Sequence, residues 1–195
     1  MYATRVGRSA AVALVCAGAL VMGGCNGGDD KEPASSPEET PTAEPVPVQA
    51  ALGKVAGKLS PADAKAAVAA ISPVVDGWFE SAYVGGDYPR TDFADAFPGF
   101  TPGAAKDATG DQALMSNALI GAKVESVTAE RKVVDVDLLA TKKKQAAGAT
   151  ARFTLVFTTT GAAAKKVTVK GRLFLTPKAG DAWQVFGYNV TRTAR

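Results

Sequence analysis

The chain of 195 residues contains no histidine. That absence removes the imidazole general base, the middle member of a Ser-His-Asp triad and the usual nitrogen ligand of zinc, iron or copper. It has 2 cysteines, Cys16 and Cys25, both near the start. The remainder therefore has no thiol for a disulfide, a thiolate metal site or a cysteine nucleophile. Domains outside the cytoplasm often rely on disulfides, but about 145 residues bury roughly two-thirds of their unfolded surface and need no staple. No Gly-rich phosphate loop, metal-ligand cluster or aromatic–basic nucleic-acid surface is legible either. Neither a cofactor nor a metal nor nucleic acid is expected. Any chemistry would rest on carboxylates, Lys, Tyr, Ser and Thr.

What is present begins with an address. Arg5 and Arg8 precede an apolar stretch from about Ala10 to Met22, followed by Gly23, Gly24 and Cys25. A positive start, about a dozen apolar residues and small residues before a cut make a secretory signal. The stretch falls short of the ~20 residues of a spanning helix, although an uncleaved anchor helix is the alternative. Met22-Gly23-Gly24-Cys25 resembles the lipobox of bacterial lipoprotein signals, with Met22 at the aliphatic position. The resemblance implies diacylglyceryl transfer to the Cys25 sulfur, cleavage before Cys25 and often N-acylation. Two or more acyl chains anchor stably where one is marginal.

Asn26 to about Ala50 is rich in Gly, Pro, Ser, Thr and Glu and has no aromatic residue. Such a segment cannot bury enough apolar surface to offset its ordering entropy, so it reads as an extended, disordered stalk. Charge divides with composition. Residues 51–195 hold 19 of the 22 basic and 13 of the 19 acidic residues, an excess of about +6. A mildly basic domain on an acidic stalk suits anionic lipid or cell-wall polymer, against the plainer reading of an ordinary soluble surface. The expected organisation is a signal at 1–24, a lipidated cysteine and stalk at 25–50, and a globular domain at 51–195.

Within the domain, Ser60-Pro61-Ala62-Asp63 starts a helix: Ser as cap, Pro at the first helical position, an acid three residues after the cap. Val68, Ile71, Val75, Trp78 and Ala82 recur at helical spacing. Ser72-Pro73 predicts either a kink or two successive helices, and Gly85-Gly86 a stop. A short helical turn is expected after Thr101-Pro102, and a third helix from Asp111 through Leu114, Met115, Ala118 and Leu119 to Gly121. From Lys123 the period becomes two, predicting strands at Lys123–Ala129, Lys132–Ala140, Thr150–Thr160, Lys166–Thr176 and Ala182–Arg192. Helices followed by alternating strands mean an α+β fold, with helices packed on one face of a curved, mostly antiparallel sheet of about five strands.

This order resembles the nuclear transport factor two-like (cystatin-like, cone-shaped) superfamily, and is similar to exported domains of actinobacterial Mce-associated proteins and small lipoproteins. The likeness lies in Trp78-Phe79-Glu80-Ser81-Ala82-Tyr83-Val84-Gly85-Gly86-Asp87, in Phe97-Pro98-Gly99-Phe100-Thr101-Pro102 and in the last strand, Trp183 to Val190. It implies a curled sheet that encloses, with its helices, a pocket used for catalysis, binding or dimerisation.

Asp76, Glu80 and Asp87, with Tyr83 and Tyr88, are the acid–base candidates such a pocket would use, a carboxylate abstracting a proton if burial raised its pKa. The plainer reading puts Asp76 and Glu80 on a solvated helix face and Asp87 in a turn. Aromatic residues mostly build cores; Tyr88, Phe97 and Phe100 stand in the Gly/Pro-rich loop and are the candidates for ligand or partner contact. Lys142-Lys143-Lys144 either touches phospholipid head groups or forms a solvated turn. The leading expectation is a non-enzymatic lipid-anchored module outside the cytoplasmic membrane, binding an envelope protein, a lipid or a cell-wall component, or serving as a structural accessory subunit of an envelope complex. The rival is a pocket enzyme of the same fold using Asp/Tyr chemistry.

Overall fold

The computed structural model describes residues 45–179 and 182–195. The signal, Cys25 and most of the expected stalk lie outside the described residues. One five-stranded sheet, in the order β1-β2-β3-β4-β5, runs through the described part. Its strands are β1 (Gln49–Ala56), β2 (Val127–Ala140), β3 (Ala146–Thr159), β4 (Lys165–Pro177) and β5 (Trp183–Ala194). β2 to β5 form an antiparallel meander, and β1 joins the β2 edge in parallel. The fold is α+β, as expected, but the five strands are not the expected five. Lys123–Ala129 and Lys132–Ala140 do not form separate strands: β2 is continuous, with a register shift between Ala129 and Arg131. A bulge absorbs the extra residue and the strand carries on. The fifth strand, β1, instead takes in Gln49 and Ala50 from the segment read as stalk. All eight of its residues are exposed, so it carries no alternation that would mark it as a strand.

The long helix α1 (Pro61–Phe79) starts as expected, with the Ser60 hydroxyl accepting from the Asp63 amide at 3.0 Å. It does not divide at Pro73. That residue and Ala69, four positions earlier, both lie on the exposed side. The carbonyl that proline leaves unpaired can therefore bond to water, and the helix tolerates the ring. Past Phe79 the helix widens into a π turn, Glu80–Val84, closed by the Gly85 amide on the Glu80 carbonyl at 2.9 Å. The inserted residue lets Phe79, Ala82 and Tyr83 all face inward.

Thr101 caps α2 (Pro102–Gly110), which is longer than the single turn expected. The third helix, α3, spans only Gln112–Met115, because Ser116 is extended (φ −158°). Ser116 and Asn117 are buried, and Leu119, expected on its inner face, is 62% exposed.

The core lies between α1 and one face of the sheet. Val134, Val136, Ala151, Phe153, Leu155, Phe157, Val167, Val169, Leu173 and Leu175 alternate inward and meet Ile71, Val75, Trp78 and Phe79. Each such side chain, fully buried, contributes about 1.5–3 kcal/mol. Trp78 sits at the centre: its ring lies 5.2 Å from Phe153 and 6.1 Å from Phe100, and its indole N–H donates to the Met115 carbonyl at 3.2 Å. Gly171 faces Phe153 across β3 and β4. A Cβ there would meet the Asn189 carbonyl oxygen at 2.1 Å, so only glycine allows β5 so close.

Candidate functional site

Asp76 and Glu80 do not stand free on a solvated face. Both accept from the Nζ of Lys132, Asp76 at 3.0 Å. The Lys132 side chain is 3% exposed, against 37% and 42% for the two carboxylates. Lys132 continues the inward series of Val134, Val136 and Leu138, so β2 aims an ammonium at the core and α1 meets it with two acids one turn apart. Burial alone would push this ammonium down. The hydrogen bonds and charges of Glu80 and Asp76 outweigh burial and hold its pKa above the ordinary lysine range. The location has a reason. β1 pairs with β2 only from Val133 onward, leaving Val127–Lys132 without a described neighbour on that side. A bulge and an inward-pointing charge both blunt such a bare edge against pairing with another chain.

Tyr83 and Tyr88 belong to a different network. The buried Tyr83 hydroxyl donates to the Leu114 carbonyl at 2.5 Å, and the Tyr88 hydroxyl to the Tyr83 carbonyl at 2.8 Å. Asn117 donates to the same carbonyl at 2.9 Å and to the Tyr88 oxygen at 3.2 Å. Arg192 completes the set, donating to the Ser116 carbonyl at 2.5 Å and to Asn117 Oδ1 at 2.7 Å. Burial raises the pKa of both phenols, so they are neutral donors across the physiological range. The structure thus brings Asp76 and Glu80 together on Lys132, and Tyr83 and Tyr88 together on Asn117. Among these five candidates it gathers no carboxylate and phenol into one acid–base pair; the pair of that kind it does form, the Tyr188 hydroxyl donating to Asp111 at 2.8 Å, joins two other residues at an exposed position. Asp87 is exposed in the turn after the π segment.

The other sequence-predicted contacts are also placed. Phe97 and Phe100, 5.6 Å apart, are half-buried against the core, with Phe100 on Trp78. Their loop is tied to β5 by the Thr101 amide on the Val185 carbonyl and the Val185 amide on the Gly99 carbonyl, each at 2.8 Å. Tyr88 is half-buried by the network just described.

Open apolar surface lies elsewhere. One groove of about 720 Å³ runs between β1 and α1, from Pro61 to Asp76, walled by Leu52, Val68 and Pro73. Another, of about 480 Å³, lies on the helix-free face of the sheet beside Leu139, Phe174 and Phe186. Leu139 and Phe186 are each 56% exposed, and Lys142, Lys143 and Lys144 are exposed in the adjoining turn.

Sequence reasoning missed Lys132, Asn117 and Arg192, and counted Phe186 among the aromatics without singling it out. Lys132 had a signal, since it extends the period-two series of its strand. Arg192 and Asn117 had none, because their pairing joins positions 75 residues apart. No family model, curated protein or solved structure matches this chain.

Proposed function

We propose that the protein is a lipid-anchored module on the outer face of a bacterial cytoplasmic membrane, acylated at Cys25, whose domain binds an envelope component without chemistry of its own. The observation that carries this reading is Met22-Gly23-Gly24-Cys25 directly behind a basic, apolar leader. The geometry supports binding over the rival enzyme. Of the acidic and phenolic side chains an enzyme of this kind would use, Asp76, Glu80, Tyr83 and Tyr88 are engaged in holding the fold and Asp87 is exposed, while apolar side chains stand open on the sheet and beside β1. We assign the domain to the nuclear transport factor two-like class. In support, a long helix lies across one face of an antiparallel meander, and the Phe97–Pro102 loop is pinned to the final strand.

Metabolic labelling with a fatty-acid analogue tests the anchor. The wild-type chain should take up label and run at the mass of a chain cut before Cys25, and Cys25→Ser should take up none. Label on the Cys25→Ser chain, or a wild type at full precursor mass, overturns the reading.

A further inference from the structure

One end of the sheet gathers exposed lysines beside the open apolar side chains of its helix-free face. β1 runs parallel to β2, so the connection after Ala56, the β2–β3 turn and the β4–β5 connection all emerge at the same end. These three segments carry Lys58, Lys142, Lys143, Lys144 and Lys178, all exposed. None lies within 4.0 Å of a described carboxylate. Lys144 and Lys178 line a common groove with Leu59 and Trp183, which brings the three segments into one surface. The acids nearby are Asp63, bound to its Ser60 cap, Asp137, which lines the apolar patch and is paired with Arg152 at 2.5 Å, and, in sequence, Asp181 of the β4–β5 connection, which is not among the described residues.

Immediately behind the lysines, on the helix-free face, Leu139, Phe174 and Phe186 form an apolar patch, the two phenyl rings 6.4 Å apart. Leu139 is two residues from the β2–β3 turn, and Phe186 three from the start of β5. On a water-facing sheet surface these positions normally carry polar side chains. Exposed aromatic and aliphatic groups edged by unpaired lysines match a bilayer surface, which offers acyl chains just beneath anionic head groups.

We infer that this lysine-edged end of the domain rests on an anionic lipid bilayer. The inference extends the anchored reading, whose tether permits the pose. The chain enters the fold at Gln49, about 26 Å from the lysine end at ~3.3 Å per strand residue. The stretch from Cys25 to Pro47 can span at most roughly 70 Å, long enough to turn back and lay this end on the membrane that holds the anchor. Leu139 and Phe186 then dip among the head groups, and the lysines meet phosphate. A soluble anionic polymer would satisfy the lysines but leave the phenyl rings in water, which is why the bilayer is the occupant the surface fits.

The test uses the unacylated chain from Asn26 to Arg195, which contains the entire core, so its outcome is independent of Cys25. Co-sedimentation with phosphatidylcholine vesicles, with and without phosphatidylglycerol, reads the partitioning. Binding should require phosphatidylglycerol, fall in high salt, and weaken about fivefold per lysine removed. Lys142→Gln/Lys143→Gln/Lys144→Gln and, separately, Phe186→Ser should each reduce it strongly. Lys123→Gln/Lys165→Gln, at the far end of the sheet, should leave most of it. Thermal melting of each variant confirms that it is folded. No binding to phosphatidylglycerol vesicles overturns the inference, as does equal loss from the far-end variant. Full binding by folded Phe186→Ser assigns the surface to charge alone and overturns it too. Failure here with successful fatty-acid labelling leaves the anchor intact, and the reverse result removes the anchor while leaving the surface.

Discussion

Lys132 occupies a position where the inward alternation of β2 would ordinarily place valine or leucine. Removing one side of a buried ion pair costs more than replacing the buried charge with an apolar group, because the survivor is left without water or partner. Here the two sides differ in exposure, and that sets the direction. With Asp76→Ala/Glu80→Ala the ammonium stays buried and uncompensated, a loss of about 3–5 kcal/mol. With Lys132→Met the two half-exposed carboxylates rehydrate, and stability should change by less than about 1 kcal/mol. Urea titrations of the two variants measure the contrast; equal losses would mean the carboxylates support the fold in some other way. The pattern of β2 made 132 legible as an inward position. What the strand could not show was which acids would reach it, since they come from a helix more than fifty residues earlier.

At the scale of elements, local chemistry and tertiary context divide cleanly along the chain. The Ser60 and Thr101 caps were readable because a cap is an interaction among neighbours. Pro73 was readable as a residue hostile to helices, but whether it breaks one depends on where the orphaned carbonyl points. Since that carbonyl is on the exposed side and the ring still crowds the backbone, Pro73→Ala should stabilise the domain by roughly 1–2 kcal/mol, net of the entropy proline removes from the unfolded chain. A higher melting temperature for this variant is the expected result. A lower one would show that the ring contributes packing against the β1 groove. β1 escaped detection for the opposite reason. With no buried face it has no pattern, and only the β2 edge makes it a strand. The short α3 reflects a similar override: the apolar spacing favoured two more turns, but Ser116 and Asn117 are drawn inward by Arg192.

For the molecule as a whole, several buried or bonded groups hold their protons to higher pH in the folded chain than in the unfolded one. Tyr83 is raised chiefly by burial, Tyr188 by burial and its hydrogen bond to Asp111, and Lys132 by Glu80 and Asp76 against the opposing effect of burial. In each case the folded pKa exceeds the unfolded value, which is near 10.0 for tyrosine and 10.5 for lysine. Below pH 10 both states hold these protons, so whatever these groups contribute is fully present and does not vary with pH. Above it the unfolded chain releases protons that the folded chain retains, so unfolding becomes easier as pH rises, by up to about 1.4 kcal/mol per pH unit for a buried group and by less for Tyr188, whose charge water screens. Denaturation midpoints should therefore be flat from pH 7 to 9 and fall steeply beyond 10. Tyr83→Phe should lower the stability at neutral pH by roughly 1 kcal/mol, through the lost bond to Leu114, yet make the alkaline decline shallower. An unchanged slope would assign the decline to the other groups.

The sequence by itself determined the properties that neighbouring residues settle among themselves. These are the basic residues and apolar stretch that precede Cys25, the helix starts at Ser60 and Thr101, the alternating strands after Lys123, and the freedom of the domain from thiol and imidazole chemistry. Tertiary structure alone decided which side chains meet across long separations: Lys132 with Asp76 and Glu80, Arg192 with Asn117, and the loop of Phe97 and Phe100 with β5. It also decided that Phe186 stays exposed while Phe153 is buried, although both lie in strands of similar pattern. A strand's alternation says that two faces differ. Only the helix lying across one of them says which face is dry.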